Sequence, residues 1–203
     1  ATSFTESMSP APPPRAAAAA KYLVVGYTGF LIVLLLGVFF QPGVLLLRDM
    51  AVLRHPALHA GAVGFGDLPA RNAPQDGLLA LVGMVIPASW FVRLLLVGSA
   101  AVGAWGAATL ATPAESPTGW NSVAFRQVAA ITVTVWNPFV VERLLQGQWS
   151  VTMVAWLLPA VVACRTRPAW QVATVWVCSL TPTGGFVALI VALVSACRRR
   201  FVA

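Results

Sequence analysis

The sequence predicts an all-α protein, a polytopic transmembrane helix bundle of about six spans with a long first outer loop and an interfacial helix. Three observations carry that expectation. Of 203 residues, 59% are hydrophobic and only 9% are charged, against about a quarter charged in an average soluble domain. Uncharged stretches long enough to cross a bilayer recur, such as the 26 residues from Tyr22 to Leu47. The thirteen basic residues stand in small groups between these stretches, a distribution that sets topology rather than a patch that grips nucleic acid. A soluble enzyme, a disordered chain and a nucleic-acid module are poor fits to this composition, and no nucleic-acid partner is expected.

Residues 1–20 are rich in Pro and Ala, with Pro12-Pro13-Pro14-Arg15, and read as a mobile cytoplasmic tail. Residues 21–203 form the transmembrane domain. Its first span covers Lys21–Phe40 and stops at Gln41-Pro42-Gly43. The outer loop, 41–76, collects Arg48, Asp49, Arg54, His55, His59, Asp67, Arg71 and Asp76 around glycines and prolines. Asn72, with Gln75 three positions on, starts an interfacial helix at about 74–86. A span follows at about 89–111, with Arg93 snorkelling to the outer surface. Two tilted spans over 77–111 are the alternative. A third span covers Asn121–Trp136. Asn137 then caps a short helix with Pro138 at its first position, and Gly147 ends it. This helix, 138–146, carries Glu142 and Arg143 between Trp136 and Trp149, so it is placed at the membrane surface. A fourth span runs Trp149–Cys164, and Arg165 and Arg167 mark a turn. The thirty uncharged residues 168–197 are interrupted by Thr181-Pro182-Thr183-Gly184-Gly185. A straight helix of that length would be about 45 Å long, against a hydrocarbon core of about 30 Å, so two short helices in a hairpin are expected.

With six crossings both termini lie on one side. That side holds eight basic residues, Arg15, Lys21, Arg126, Arg165, Arg167 and Arg198 to Arg200, and is read as cytoplasmic. The protein is then a multi-pass cell-membrane protein whose loop 41–76 and helix 138–146 face outward together. The cysteines, Cys164, Cys178 and Cys197, are widely spaced and contain no C-x-x-C, which suggests thiols rather than a disulfide frame or zinc site.

The outer side gathers four carboxylates and five arginines over an apolar bundle. A carboxylate there can act as a general base toward a hydroxyl, and an arginine can hold a phosphate through two hydrogen bonds. The plainer account is that these charges solvate a loop and pair with one another. Asp49 is the candidate base; its plainer role is a local pair with Arg48 or Arg54. Glu142 and Arg143 are adjacent on a helix, so they point about 100° apart and are not expected to pair face to face. Asp67 reads as a turn residue and Asp76 as a charge in a first helical turn. His55 and His59 are four apart with Pro56 between them, which argues against a metal site. The glycines at 61, 64 and 66 follow no expected strand, and no His accompanies Ser150 or Ser179 within a span, so a nucleotide loop and an intramembrane serine protease are both set aside.

Several strings bear a family likeness. They are Arg48-Asp49-Met50, Gly66-Asp67-Leu68-Pro69, Pro74-Gln75-Asp76, the run Val135-Trp136-Asn137-Pro138-Phe139-Val140-Val141-Glu142-Arg143-Leu144-Leu145-Gln146-Gly147-Gln148-Trp149, and Leu180-Thr181-Pro182-Thr183-Gly184-Gly185. Together they resemble the large polytopic envelope proteins of actinobacteria with a GT-C glycosyltransferase fold, including the arabinofuranosyltransferases that use decaprenyl-phosphoryl-arabinose. The resemblance covers about residues 22–190 and corresponds to the N-terminal half of those proteins. It implies an inverting membrane glycosyltransferase that moves a sugar from a polyprenyl-phosphate donor to an envelope glycan acceptor on the outer face. Asp49 takes the catalytic place, while Arg48, Arg54, Glu142 and Arg143 take donor-binding places. No metal ligands are assigned, and the need for a divalent metal stays open. The alternative is a non-catalytic subunit or degenerate scaffold of the same fold that needs another membrane protein to supply missing helices. A small transporter ranks third.

Overall fold

The computed structural model describes residues 14–65, 73–112 and 120–202, with side chains described for 18–65, 73–112 and 123–197. It is a helical bundle. Four helical stretches are long and apolar enough to cross a membrane: Ala18–Phe40, Ala88–Ala111, Val123–Leu145 and Trp149–Thr166. The protein is accordingly a membrane protein with an all-helical frame. The expected cap at Asn72, the turn at Asp67 and the charge at Arg71 lie outside the described residues.

The first helix, α1 (Pro14–Leu36), begins seven positions before Lys21. Ala16 to Ala20 are the strongest helix formers available, and Ala20 packs against a buried cluster that includes Val24, Leu31 and Ile131. A 3-10 turn, Gly37–Phe40, extends it. The next segment, within the expected outer loop 41–76, contains a hairpin. Strands β1 (Leu45–Leu47) and β2 (Met50–Val52) pair antiparallel, with Leu47 opposite Met50. Arg48 and Asp49 form its turn, and Arg48 adopts a φ of 50°. Leu45, Met50 and Val52 are buried with residues of the later helices. Then come α2 (Gln75–Gly83) and α3 (Ala88–Ala111), close to the expected 74–86 and 89–111. Asp76 lies in the first turn of α2, as expected.

Helix α4 (Trp120–Val135) ends at Trp136-Asn137. The Asn137 side chain accepts a hydrogen bond from the Val140 N–H at 3.0 Å, and Pro138 opens α5 (Pro138–Leu145). That is the N-cap and first-position proline anticipated from the sequence. Helices α6 (Trp149–Ala163), α7 (Pro168–Cys178) and α8 (Pro182–Val202) complete the chain. The break between α7 and α8 falls where Thr181-Pro182 predicted it.

Helix α3 is the axis of the bundle, packed on α6, α4 and α1. Against α6 the approach is backbone to backbone. A Cβ at Gly103 would fall on the Trp156 carbonyl, and one at Gly106 would stand 2.5 Å from the Ala160 nitrogen. Small residues at such crossings gain van der Waals contact, the main attraction between helices where both ends of the comparison are apolar. The pairs 103 with 156 and 106 with 160 run in the same sense, so α3 and α6 are parallel. Trp156, fully buried, donates its Nε1–H to the Val135 carbonyl at 3.2 Å, which places the α4–α5 break beside the middle of α6. Beyond α6, Gln171 near the start of α7 donates to the Val161 carbonyl (3.1 Å) and to Ser195 Oγ (3.0 Å). A Cβ at Gly184 would meet Val154 and the Cys178 carbonyl. Thus α7 and α8 are antiparallel, and their turn reaches back to the level of Val154 on α6.

Candidate functional site

Two chain segments meet at one edge of the bundle. The first is the β1–β2 turn with Arg48 and Asp49. The second is the turn from α5 into α6, Gln146-Gly147-Gln148. The Asp49 N–H donates to the Gln146 carbonyl at 3.2 Å. Gly147 has a φ of +78° and lies directly against the hairpin: a Cβ there would overlap the Leu47 carbonyl oxygen and stand 2.5 Å from the Met50 nitrogen. Only glycine combines that left-handed backbone with so close an approach. Gly147 therefore seats the hairpin on α5.

The seating completes a chain of polar side chains. Gln148 Nε2 donates to Asp49 Oδ2 at 3.2 Å across 99 positions of sequence. Gln148 Oε1 accepts from Arg143 Nη1 at 2.7 Å. Arg143 Nη2 donates to Glu142 Oε1 at 2.9 Å, and Gln146 Nε2 donates to the same oxygen at 3.0 Å. The Arg143 guanidinium also lies over the Phe139 ring, 5.4 Å from its centroid. Its Nε is buried without an acceptor, which costs about 1–3 kcal/mol for such a group.

The structure corrects two sequence expectations. Glu142 and Arg143 do form an ion pair. Their backbones diverge as neighbours on a helix must, but both side chains are long enough to curl toward the α5 C-terminus, where Gln146 and Gln148 receive them. Arg93 does not snorkel outward. It is 3% exposed. Its Nε donates to the Phe39 carbonyl at 2.6 Å, and its Nη2 to the Gln41 and Gly43 carbonyls at 3.2 Å each. The guanidinium also stands over Trp90, 4.8 Å from the ring centroid. The end of α1 leaves carbonyls without helical donors, and an arginine one helix away satisfies them.

Of the predicted site residues, Asp49, Glu142 and Arg143 are brought into one network. Arg48 flanks Asp49 at the exposed hairpin tip. Asp49 bonds Gln148, and not Arg48 or Arg54. Arg54 is exposed beyond β2, where its carbonyl accepts from the Ala88 N–H at the start of α3. His55 and His59 serve the loop itself. His55 Nδ1–H donates to the Gly83 carbonyl at 2.6 Å, and His59 Nδ1 accepts from the Ala62 N–H at 3.2 Å. No cluster of three or more His, Cys, Asp or Glu forms among the described residues. The sequence reading missed Gln146 and Gln148, which join the two halves. Amides flanking a glycine after a capped helix were the available signal.

Beside the network, an apolar groove of about 470 Å³ runs between the end of α1, β1 and α5. Its walls include Leu34, Val38, Leu46 and Leu145, with Arg93 in one wall. A second, smaller groove between α3 and α7 is lined almost wholly by apolar side chains.

Compared with known proteins, the chain matches no protein-family model, no curated protein and no solved structure.

Proposed function

We propose that this protein is a membrane glycosyltransferase of GT-C type, or the N-terminal portion of one, with the Asp49 network on the outer face of the cell membrane. The proposal places four full crossings in the bilayer, with α7 and α8 as a pair that enters and leaves on one side, and both termini in the cytoplasm. One observation carries it: an exposed carboxylate on a tight hairpin is held by Gln148 beside a partly buried arginine, at the edge of a membrane bundle. That is an arrangement suited to a lipid-borne phosphate and a hydroxyl nucleophile meeting at the interface. Asp49 takes the proton of the acceptor hydroxyl. The acceptor oxygen bonds to the anomeric carbon of the donor sugar as the bond from that carbon to the phosphate oxygen breaks. The polyprenyl phosphate leaves with the electron pair, and Arg143 and Arg48 offset its charge.

The test is Asp49→Asn in purified protein given a radiolabelled polyprenyl-phosphate sugar and a glycan acceptor. Asn keeps an oxygen for Gln148 and so keeps the fold, but it cannot accept the proton. Transfer should fall by roughly 10²- to 10⁴-fold, the usual weight of a positioned general base. Transfer at the unaltered rate would refute the role of Asp49.

The Glu142–Arg143 ion pair favours a second reading, a non-catalytic subunit whose charges satisfy one another. Native mass spectrometry of the protein from its own membrane separates the two. A retained polyprenyl-phosphate sugar supports the transferase, and a bare chain bound only to another membrane protein supports the subunit.

A further inference from the structure

Among the described residues, Arg93 presents a buried cation with no carboxylate beside it. Its Nε and Nη2 are tied to the carbonyls of Phe39, Gln41 and Gly43. Carbonyl dipoles solvate the guanidinium but do not cancel its charge. A buried charge without a counter-ion is costly unless something else neutralises it. Nη1 makes no hydrogen bond within the described protein, yet it is not among the sealed, unsatisfied atoms. Arg93 forms part of the wall of the 470 Å³ groove. One donor of a fixed arginine is therefore left for the contents of an otherwise apolar channel. The groove walls at Leu34, Val38, Leu46 and Leu145 are exposed, so in a membrane protein they meet acyl chains directly.

We infer that this groove binds one anionic phospholipid drawn from the surrounding bilayer, its phosphate on Arg93 and an acyl chain along α1 and α5. Charge complementarity selects an anionic head over a neutral one. The position selects a bilayer lipid over a sugar donor. Arg93 is anchored at the α1 end of the groove, whereas the reactive head of a donor must reach Asp49 at the hairpin tip. The inference does not depend on the proposed transferase activity.

The full chain in mild detergent would be exchanged into nanodiscs of phosphatidylcholine and phosphatidylglycerol at equal mole fraction, released, and weighed by native mass spectrometry. We expect one phosphatidylglycerol retained per chain, at least ten-fold in excess over phosphatidylcholine. Val38→Trp fills the groove from an exposed position without touching the Arg93 hydrogen bonds, and should abolish retention. Leu145→Trp does the same from the opposite wall. Arg93→Gln should lower the preference for the anionic lipid to near unity; should that variant fail to fold, the two tryptophan variants still decide the question. Equal retention of the two lipids, or retention unchanged in both tryptophan variants, would overturn the inference. So would displacement of phosphatidylglycerol by an added polyprenyl phosphate, which would make the groove a donor site.

Discussion

Gly147→Ala tests the seating of the hairpin, on which the whole candidate site depends. Alanine at a φ of +78° costs about 1–2 kcal/mol for the left-handed backbone. Its Cβ would also overlap the Leu47 carbonyl and crowd the Met50 nitrogen, so β1 and β2 must lift from α5. Lifting breaks the bond from the Asp49 N–H to the Gln146 carbonyl, worth about 1 kcal/mol net. The exposed Gln148–Asp49 bond adds less. The sum is about 2–3 kcal/mol. For a chain of this size that lowers Tm by roughly 4–12 °C. A thiol-reactive dye is a convenient probe, because Cys164 and Cys178 are buried and exposed Cys197 can be replaced by serine. Gly98→Ala gives a contrast of opposite sign. A Cβ at Gly98 meets nothing within 4 Å, and alanine in a helix interior gains about 0.5–1 kcal/mol over glycine. If Gly147→Ala melted within about 2 °C of the unaltered protein, less than 1 kcal/mol, the hairpin would not be seated as described, and Asp49 would not belong with Glu142 and Arg143.

Two further outcomes follow from the bundle. Trp156→Phe keeps most of the buried ring but removes the donor to the Val135 carbonyl; a loss of about 1 kcal/mol is expected, read as a lower Tm with no change in expression. In a background lacking Cys197, Glu142→Cys should react with a membrane-impermeant maleimide on intact cells, and Arg165→Cys should react only after permeabilisation. Both sites labelled from the same side would reject the orientation.

The helical frame was legible because its punctuation is strong. Asn137-Pro138, Pro168 and Thr181-Pro182 each start a helix where a missing N–H and a fixed φ suit the first turn. The hairpin was hidden. Leu45–Leu47 and Met50–Val52 are six apolar residues without polar alternation, and their turn is Arg48-Asp49 rather than the glycine or asparagine that usually announces one. The burial of Arg93 was also invisible, because its acceptors are backbone carbonyls at positions 39, 41 and 43, and carbonyls leave no mark in sequence. Attention to charge found Asp49, Glu142 and Arg143 but passed over the neutral amides at 146 and 148 that couple them. Geometry between adjacent helix positions, applied without regard to side-chain length, gave the wrong answer for Glu142 and Arg143.

The shortness of α7 bears on how many times the chain passes from one end of the bundle to the other. Its 11 residues reach about 16 Å, half the thickness of a hydrocarbon core. Eleven residues are too few to cross the core alone, so α7 serves as one arm of a pair with α8. The pair packs on α6 through a shared buried cluster that includes Val154, Val161, Cys178 and Ala188. Since the pair goes in and comes back, it leaves the parity of the chain unchanged. The C-terminal part of α8 therefore lies at the same end of the bundle as the end of α6.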